Sequence, residues 1–429
     1  MNLTLPLPSP GVGPIIPSDS CFTIVIVGGG AAGITVAAEL RKHRPSLSVC
    51  IVEPSETHAY QPGWTLVGAG VFTRAQTERP EVSVIPKGVR WVRQAARMLI
   101  PDRNIIELKD GSLIGYQYLV VCPGLKLNWA EVAGLEDTLG RNGVCSNYLA
   151  GQAEYTWSCI EAFRSGTALF TQPPMPIKCA GAPQKIMYLM ADYLRKHGRL
   201  AAAHIEFCLA GDVLFGVKAF VPPLQKAVDC YGIKLAYKHT LKAVDGPAKT
   251  AIFSAAGPDG ISTEVVRAFD MIHVTPPQGP PDVIKASPLA NDGGWIDIDP
   301  ATLRHTSFDN VFGLGDAVGT TNAKTAAAVR QQAPVVVQNL LASVDGTPMV
   351  ARYDGYGSCP LTTAYGKVVL AEFTYGGTVT PSFPLDPRVP RTSAWLLKTR
   401  LLPFMYWNMM LRGNEFDIKH KERPLAEIA

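Results

Sequence analysis

Cysteine is the residue type in this chain best suited to redox chemistry, and the spacing of the cysteines limits which chemistry is open to them. The nine cysteines are an odd number and include no Cys-x-x-Cys pair, which is against a disulfide framework and against zinc. The eight scattered histidines give no pattern for another metal. Cysteines inside apolar strands, such as Cys50 and Cys208, are expected to pack as small hydrophobic side chains.

Cys179 differs from these because it stands where a nucleotide-binding turn is expected. Residues 166–170 predict a strand that begins an α/β unit, and in pyridine-nucleotide enzymes the turn after such a strand carries Gly-x-Gly-x-x-Gly. Residues 176–185 read PIKCAGAPQK here and lack those phosphate-binding glycines. This unit is therefore expected to present a thiol instead of binding a nicotinamide nucleotide.

A glycine-rich turn near the start of the chain does have the spacing of a dinucleotide site. Apolar residues 22–27 predict a strand, small residues from Ala31 predict a helix, and a second strand ends at Glu53, twenty residues after Gly33. In such a unit the glycines let a pyrophosphate approach the helix N-terminus, and the acid accepts hydrogen bonds from a ribose. We predict that the dinucleotide is held by Gly28, Gly30, Ala31, Ala32, Gly33 and Glu53.

A later segment indicates that the dinucleotide is FAD. Residues 310–317 predict a strand that ends in Gly-Asp, where Asp316 can hold the ribityl chain of a flavin, and the following helix can point its N-terminus at the flavin ring. No cysteine is obviously placed to attach the flavin, so we expect non-covalent binding. Further cofactor contacts are predicted at Gln61, Ala96, Gly124, Asp316, Lys324, Thr325, Ala326 and Ala327.

Length and composition indicate a globular protein of two or three domains. The 429 residues are 47% apolar, and 40 basic against 36 acidic side chains give a net charge of +4, too small to indicate nucleic-acid binding. The expected fold is α/β with two Rossmann-like domains. We predict a loose tail at 1–19, a discontinuous FAD domain at 20–155 and 290–345, a second Rossmann-like domain that contains Cys179 at 156–289, and a C-terminal segment at 346–429.

The C-terminal segment is where we expect contact with a membrane. Residues 391–412 predict two short helices divided at Pro403, rich in large apolar side chains, with basic residues along the polar side. Such helices suit the plane of a membrane interface, and the alternative is a helical hairpin packed on the core or on a partner subunit. No apolar run reaches the roughly 18 residues of a spanning helix, and the first forty residues lack the Lys and Arg of a secretory signal or transit peptide.

Several stretches resemble the sulfide:quinone oxidoreductase family, and most closely its subgroup that includes the mitochondrial enzymes. They begin at Pro176 (PIKCAGAPQKIMYL), His273 (HVTPPQGPP), Val311 (VFGLGD), Lys324 (KTAAAV), Tyr353 (through Phe373) and Pro403 (PFMYWNMMLRG). The resemblance implies a fold like that of the FAD-dependent pyridine nucleotide-disulfide reductases, followed by amphipathic helices at a membrane surface.

The resemblance also implies a mechanism. Cys179 and Cys359 would form a redox pair, joined as a disulfide or through one extra sulfur as a trisulfide, and hydrosulfide would open it to leave a persulfide on Cys359. Lys178 or Lys185 would lower the pKa of Cys179. Two electrons would pass through FAD to ubiquinone or a related quinone, and the sulfane sulfur to glutathione, coenzyme A, sulfite or a further sulfide. The quinone approach would be lined by Phe404, Tyr406 and Trp407.

The expected location is peripheral, on the cytoplasmic face of a bacterial inner membrane, with the mitochondrial inner membrane less favoured and a homo-oligomer allowed. The first alternative is a type II NADH:quinone dehydrogenase, which shares the architecture but needs the missing second glycine turn. A disulfide reductase of the glutathione reductase type is less favoured because its redox cysteines lie close together in sequence. A sulfur-binding flavoprotein without turnover is the third alternative, and sulfide-dependent quinone reduction distinguishes it from an enzyme.

Overall fold

The computed structural model of the protein describes residues 16–414 except 258 and 322. The predicted tail up to residue 15, and the end of the C-terminal segment from residue 415, lie outside the described residues. Two α/β units follow one another along the chain, which then returns to the first unit before it forms a C-terminal hairpin and helix. This arrangement confirms the predicted α/β class with two Rossmann-like units.

The first unit is built around a parallel strand that is buried along most of its length. Its sheet runs β5-β2-β1-β8-β7-β6. The apolar run in β1 is continuous and does not alternate, as expected for a strand covered on both faces. The elements of this part of the chain are β1 (Cys21–Val27), α1 (Ala31–His43), β2 (Val49–Val52), β3 (Thr57–Ala59), α2 (Trp64–Val67), β4 (Glu78–Pro80), β5 (Arg90–Val92), β6 (Ala96–Ile100), β7 (Ile105–Leu108), β8 (Leu113–Val121), β9 (Lys126–Leu127), α3 (Leu135–Thr138), β10 (Val144–Cys145) and α4 (Gln152–Ala162).

The second unit has a five-stranded parallel sheet in the order β10-β17-β11-β12-β13, with an antiparallel sheet β14-β15-β16 beside it. Because β10 pairs with β17, this sheet includes a strand that precedes residue 155 in the chain. Its elements are β11 (Gly166–Gln172), α5 (Ala182–Lys196), β12 (Ala203–Leu209), α6 (Val221–Tyr231), β13 (Lys234–Tyr237), β14 (His239–Asp245), β15 (Thr250–Ala256), β16 (Ser262–Ala268), β17 (Met271–His273), β18 (Gln278–Gly279) and α7 (Asp282–Lys285).

The chain then returns to the first sheet through β19 (Val311–Gly313), which is followed by α8 (Ala326–Asp345). One edge of β8 is shared, since its first residues pair with the antiparallel β7 and its last residues pair with the parallel β19. The first sheet is therefore assembled from two distant parts of the chain. The carboxyl ends of β1, β8 and β19 all lie on the side that carries the glycine turn and Asp316.

The C-terminal segment forms the antiparallel hairpin β20 (Gly357–Ala364) and β21 (Lys367–Phe373), then a helical stretch. That stretch consists of α9 (Thr392–Leu396), a π turn (Leu397–Leu401) and α10 (Leu402–Asn408). The expected division at Pro403 was wrong. Proline lacks an N–H and clashes with the carbonyl one turn earlier, and the wide π turn just before Pro403 lets the helical path continue. Among the described residues, none of the helices combines the length and the apolar character needed to cross a bilayer.

Candidate active site

Two cysteines that are 180 residues apart in the chain lie in contact. Cys179 belongs to the loop between β11 and α5, and Cys359 lies in β20 opposite Ala371 of β21. Their sulfur atoms are 3.6 Å apart, which is longer than a disulfide bond of about 2.05 Å. The structure thus brings together, as adjacent thiols, the two cysteines that the family resemblance implies to be a redox pair.

The backbone holds Cys179 in a left-handed conformation, with a φ of 50°. A residue with a side chain rarely adopts this conformation, and such strain is often found at functional sites. Two hydrogen bonds maintain it. The N–H of Cys179 donates to the carbonyl of Lys324 at 2.9 Å, and its own carbonyl accepts from the N–H of Ala182 at 2.7 Å. The loop is therefore tied both to the start of α8 and to the start of α5.

Lys185 supplies a buried positive charge to this pair. It lies in the first turns of α5, and its Nζ donates to the sulfur of Cys179 at 3.0 Å. The Cys359 thiol and the Lys185 ammonium outweigh burial and lower the pKa of Cys179, while hydrogen bonding to Cys179 and burial raise the pKa of Cys359. Burial lowers the pKa of Lys185, but its interactions with the two sulfurs outweigh burial and raise it. When the pair loses its first proton, the negative charge therefore lies on Cys179.

Lys398 is a further cation of the site that the sequence reasoning did not single out. It lies in the π turn and is only 5% exposed. The sequence placed it among the basic residues of the polar side, and that assignment was wrong, because Lys398 falls on the same buried face as Ala394. Burial, and then the charge of Lys185, lower the pKa of Lys398 to about 7, and both sulfurs interact with it. The one available signal of this burial in the sequence was the spacing of Lys398 from Ala394, which predicts that both residues lie on the same face of a helix.

The glycine turn after β1 has the shape that a pyrophosphate requires. Gly28 has a φ of 108°, and a Cβ there would lie 2.5 Å from the carbonyl oxygen of Cys122. A Cβ on Gly33 would lie 1.8 Å from the carbonyl oxygen of Gly28, so α1 packs directly on the turn. A Cβ on Gly30 would meet no atom of the described residues within 4 Å, which leaves open space among them at the N-terminus of α1. Ala31 and Ala32 are the first residues of that helix.

Glu53 lies at the end of β2 against this turn. Its carboxylate accepts the N–H of Gly29 and the N–H of Ser55, both at 2.7 Å, and burial raises its pKa. The carboxylate retains further lone pairs that can accept ribose hydroxyls. Together with the turn, these residues fit the adenosine and pyrophosphate of a dinucleotide.

The segment after β19 forms the other half of the proposed flavin site. Asp316 follows the end of β19, and burial raises its pKa. The Nζ of Lys324 donates to the carbonyls of Asp316 and Val318 at 2.8 and 2.9 Å, so Lys324 braces this loop from within. Thr325 caps α8 by accepting the N–H of Ala328, and Ala326 and Ala327 open the helix.

The remaining predicted cofactor residues are not all in one place. Gln61 accepts a hydrogen bond from the Nζ of Lys178 at 2.6 Å, beside the cysteine loop. Gly124 follows β8 with a φ of 80° and open space beside its Cα. Ala96 begins β6, opposite Leu108 of β7, four residues after the end of the parallel strand β5. Its contact with the cofactor stays a prediction.

The residues predicted to meet the quinone divide between two faces of α10. Phe404 is exposed, whereas Tyr406 and Trp407 turn inward. The Tyr406 hydroxyl is 2.7 Å from Nε2 of His58, whose Nδ1 lies 3.3 Å from Glu81. All three of these side chains are buried, and sequence reasoning did not identify the network. It anchors α10 on the first unit, next to the glycine turn.

Comparison with known proteins identifies the family of this chain. The family model described as pyridine nucleotide-disulphide oxidoreductase matches residues 22–175. The mitochondrial sulfide:quinone oxidoreductase of Dictyostelium discoideum is 45% identical over 92% of this chain and 86% of its own length. The mitochondrial sulfide:quinone oxidoreductase of Mus musculus is 42% identical over 91% and 87%. The chain belongs to the sulfide:quinone oxidoreductase family.

A solved sulfide:quinone oxidoreductase, that of Aquifex aeolicus, has the same fold, with a TM-score of 0.73 over 91% of this chain and 92% of that one. At 19% identity this similarity concerns the fold alone. The predicted family and the predicted flavin-dependent oxidoreductase class are confirmed. The relatives do not favour the NADH dehydrogenase alternative. The relatives from Dictyostelium discoideum and Mus musculus carry mitochondrial names, and the predicted bacterial location of this chain stays a prediction.

Proposed function

We propose that this chain oxidises sulfide and reduces a quinone, with Cys179 and Cys359 as its redox pair. The observation that carries the proposal is the contact of the two sulfur atoms at 3.6 Å, next to the ammonium of Lys185. A pair of thiols with one stabilised anion is suited to thiol exchange, because exchange needs both a nucleophile and a good leaving thiolate.

Starting from the oxidised pair, whether joined directly or through one additional sulfur, hydrosulfide attacks the Sγ atom of Cys359 itself. For the directly joined pair, the bond to Cys179 breaks and its electron pair stays on Cys179, while Cys359 keeps the new sulfur as a persulfide. Lys185 stabilises the departing Cys179 thiolate through the 3.0 Å contact. Transfer of the outer sulfur to a nucleophilic acceptor leaves two thiolates, and loss of two electrons joins them again.

The residues at the carboxyl ends of β1, β2 and β19 in the first sheet fit a flavin. Gly28, Gly30 and Gly33 with Glu53 would hold its adenosine and pyrophosphate, and Asp316 with the start of α8 would hold the ribityl chain and ring. A bound flavin would supply the two-electron acceptor between the thiols and the quinone. Its attachment is proposed to be non-covalent.

The packing of β20 against α5 argues against the NADH dehydrogenase alternative. A nicotinamide nucleotide would need the space at the N-terminus of α5 for its phosphates. That space is occupied by the C-terminal hairpin, whose Cys359 and Leu361 lie beside Gly181. The Thr362 hydroxyl also donates to the Lys185 carbonyl at 3.3 Å, which fixes the hairpin on the helix.

The outer face of the C-terminal helical stretch supports a location at a membrane surface. Leu396, Leu401 and Phe404 are 56%, 48% and 55% exposed, although the opposite face is buried. An apolar outer face with Arg400 beside it suits shallow insertion among anionic headgroups. We propose that a quinone enters along Phe404 and Trp407, and that Tyr406 contributes its ring face, since its hydroxyl is held by His58. A cytoplasmic face of a bacterial membrane remains our proposed location.

An anaerobic absorption titration of the FAD-loaded protein tests the function. Sulfide is expected to bleach the flavin or to produce a long-wavelength charge-transfer band, and a soluble quinone analogue is expected to restore the oxidised spectrum. An unchanged spectrum with sulfide, together with bleaching by NADH, would contradict the proposal. Glutathione, coenzyme A and sulfite, added one at a time to the sulfide-dependent quinone assay, identify the sulfur acceptor by the increase in rate.

A further inference from the structure

Gly181 is the N-cap of α5, and its backbone does not require glycine. Its φ of −87° and ψ of −9° lie in the right-handed region that any residue adopts. The N-cap position normally favours Ser, Thr, Asp or Asn, whose side chains accept a hydrogen bond from the first turn of the helix. The reason for glycine here therefore lies in the surroundings of residue 181.

Those surroundings leave no room for a side chain. A Cβ on Gly181 would lie 2.6 Å from the sulfur of Cys359 and 2.3 Å from Cδ2 of Leu361. Gly30 is the N-cap of α1 in the corresponding strand-turn-helix unit, and a Cβ there would meet nothing within 4 Å. The space beside one N-cap glycine is thus open for a ligand, and the space beside the other holds the sulfur of Cys359.

We propose that Gly181 is a positioning residue for the redox pair, because its missing side chain leaves the space in which the Cys359 sulfur meets Cys179. Leu361 has two side-chain torsions with which to move its methyl group away. The Cys359 sulfur has one, so relief of the contact requires rotation about that bond or a backbone shift, and either changes the 3.6 Å separation of the sulfurs. The inference rests on the proposed function, since it assumes that the two thiols become joined.

Thermal unfolding provides the first test, through the melting temperatures of a double-mutant cycle. Gly181→Ala is made in the wild-type chain and in Cys359→Ala, with Gly216→Ala as the matched control, since Gly216 also lacks a positive φ and a Cβ there would meet nothing within 4 Å. Gly181→Ala is expected to lower the melting temperature of the wild type, and to lower that of Cys359→Ala by at most half as much. Equal losses of melting temperature in the two backgrounds would overturn the proposal. They would show that the loss comes from the contact with Leu361, which is present in both backgrounds, and not from the Cys359 sulfur.

The second test measures the joining of the two thiols. FAD-loaded proteins are equilibrated with glutathione buffers of graded potential, and the free thiols are counted by mass after maleimide labelling. Gly181→Ala is expected to reduce the equilibrium constant for joining Cys179 to Cys359 about tenfold, which raises the midpoint potential by about 30 mV. A midpoint equal to those of the wild type and Gly216→Ala would contradict the role of Gly181.

Two further outcomes are separable in the same experiment. If Gly181→Ala does not fold, the double variant Gly181→Ala/Leu361→Ala removes the contact with Leu361. Among the described residues, the Cys359 sulfur is then the one remaining neighbour at under 3 Å from the added Cβ. The midpoint of the double variant then decides the question by the same criterion. A wild-type protein whose thiols never join would contradict the proposed redox pair itself, whatever residue 181 does.

Discussion

The Nζ of Lys185 lies 3.0 Å from the sulfur of Cys179, and the two residues are only six positions apart along the chain. The cysteine lies in the loop that leads into α5, and the lysine lies in that helix. One short piece of backbone therefore positions both the sulfur and its counter-ion, whereas the partner sulfur of Cys359 comes from a different part of the chain. The charge that stabilises the thiolate lies in the helix that follows the loop of the thiolate.

Lys185→Gln is expected to raise the pKa of Cys179, because it removes the ammonium that stabilises the thiolate. The rate of iodoacetamide alkylation of Cys179 in the reduced protein, followed against pH, measures this directly. We expect the rising limb of the profile to move to higher pH, and the thiolate fraction at neutral pH to fall roughly tenfold for each pH unit that the limb moves. Lys226→Gln, an exposed lysine of α6, is the control and should leave the profile unchanged.

Cys179→Ser and Cys359→Ser are each expected to keep FAD but to lose sulfide-dependent quinone reduction by roughly 10²-fold or more, since neither variant can form the joined pair. Steady-state quinone reduction and the flavin absorbance per protein are the two measurements. Cys230→Ser, at an exposed cysteine, serves as control. Full activity in either site variant would refute the redox pair.

Lys398→Met is expected to stabilise the fold. The pKa of Lys398 falls from about 10.4 in the unfolded chain to about 7 in the native protein. Between these two pH values the unfolded chain binds a proton that the native protein has lost, so the free energy of unfolding rises with pH across this window. Below the window Lys398 is charged in both states, and the native protein bears the whole cost of burying that charge. The gain in melting temperature should be largest at pH 6 to 7 and should shrink towards about pH 10. A gain in melting temperature that does not vary with pH would contradict the lowered pKa of Lys398 in the native protein.

The same variant is expected to lose activity, because the charge of Lys398 interacts with both sulfurs. In the wild type this charge is present below about pH 7 and is lost as the pH rises through that value. The pH profile of sulfide oxidation should therefore contain an inflection near pH 7 that is missing in Lys398→Met. If the pH profiles of the wild type and of Lys398→Met have the same shape, the charge of Lys398 does not affect the reaction and the side chain only contributes to packing.

Tyr406→Phe is expected to lower the free energy of unfolding by about 1–3 kcal/mol, because it leaves a buried nitrogen of His58 without its partner. Urea unfolding measures the change. Tyr118→Phe, which removes a half-buried hydroxyl bonded to the carbonyl of Ser343, is the matched control and should cost less. Equal costs for the two variants would mean that the network with His58 and Glu81 does not hold α10 in place.

Leu401→Ser combined with Phe404→Ser is expected to weaken binding to vesicles that contain anionic lipid, since both side chains are exposed on the outer face of the helical stretch. Co-sedimentation gives the bound fraction. Met98→Ser replaces a large exposed apolar side chain on β6 and should leave that fraction unchanged. Undiminished binding by the double variant would place the membrane contact elsewhere.

Local features could be predicted from the sequence because they depend on neighbouring residues. The glycine turn from Gly28 to Gly33 and the acid at Glu53 occur in one strand-turn-helix unit, and the structure has that unit where the sequence predicted it. The pairing of Cys179 with Cys359 came from the family resemblance, since no spacing rule joins residues 180 apart.

The features that were missed depend on how distant segments pack. Lys398 resembles a surface cation in sequence, and it is buried only because the C-terminal helical stretch lies against the cysteine site. His58, Glu81 and Tyr406 come from three segments and give no common pattern along the chain. The path through Pro403 was also missed, because a π turn leaves no composition signal of its own.

The shared edge of β8 has a consequence during synthesis on the ribosome. Leu119 to Val121 are fully buried and pair with β19, which is made about 190 residues later. Until then the emerging chain carries an apolar strand edge without its final neighbour, and such an edge invites pairing with other chains. The whole second α/β unit is translated during that interval. The first sheet of this protein therefore cannot be completed until the second unit has been synthesised.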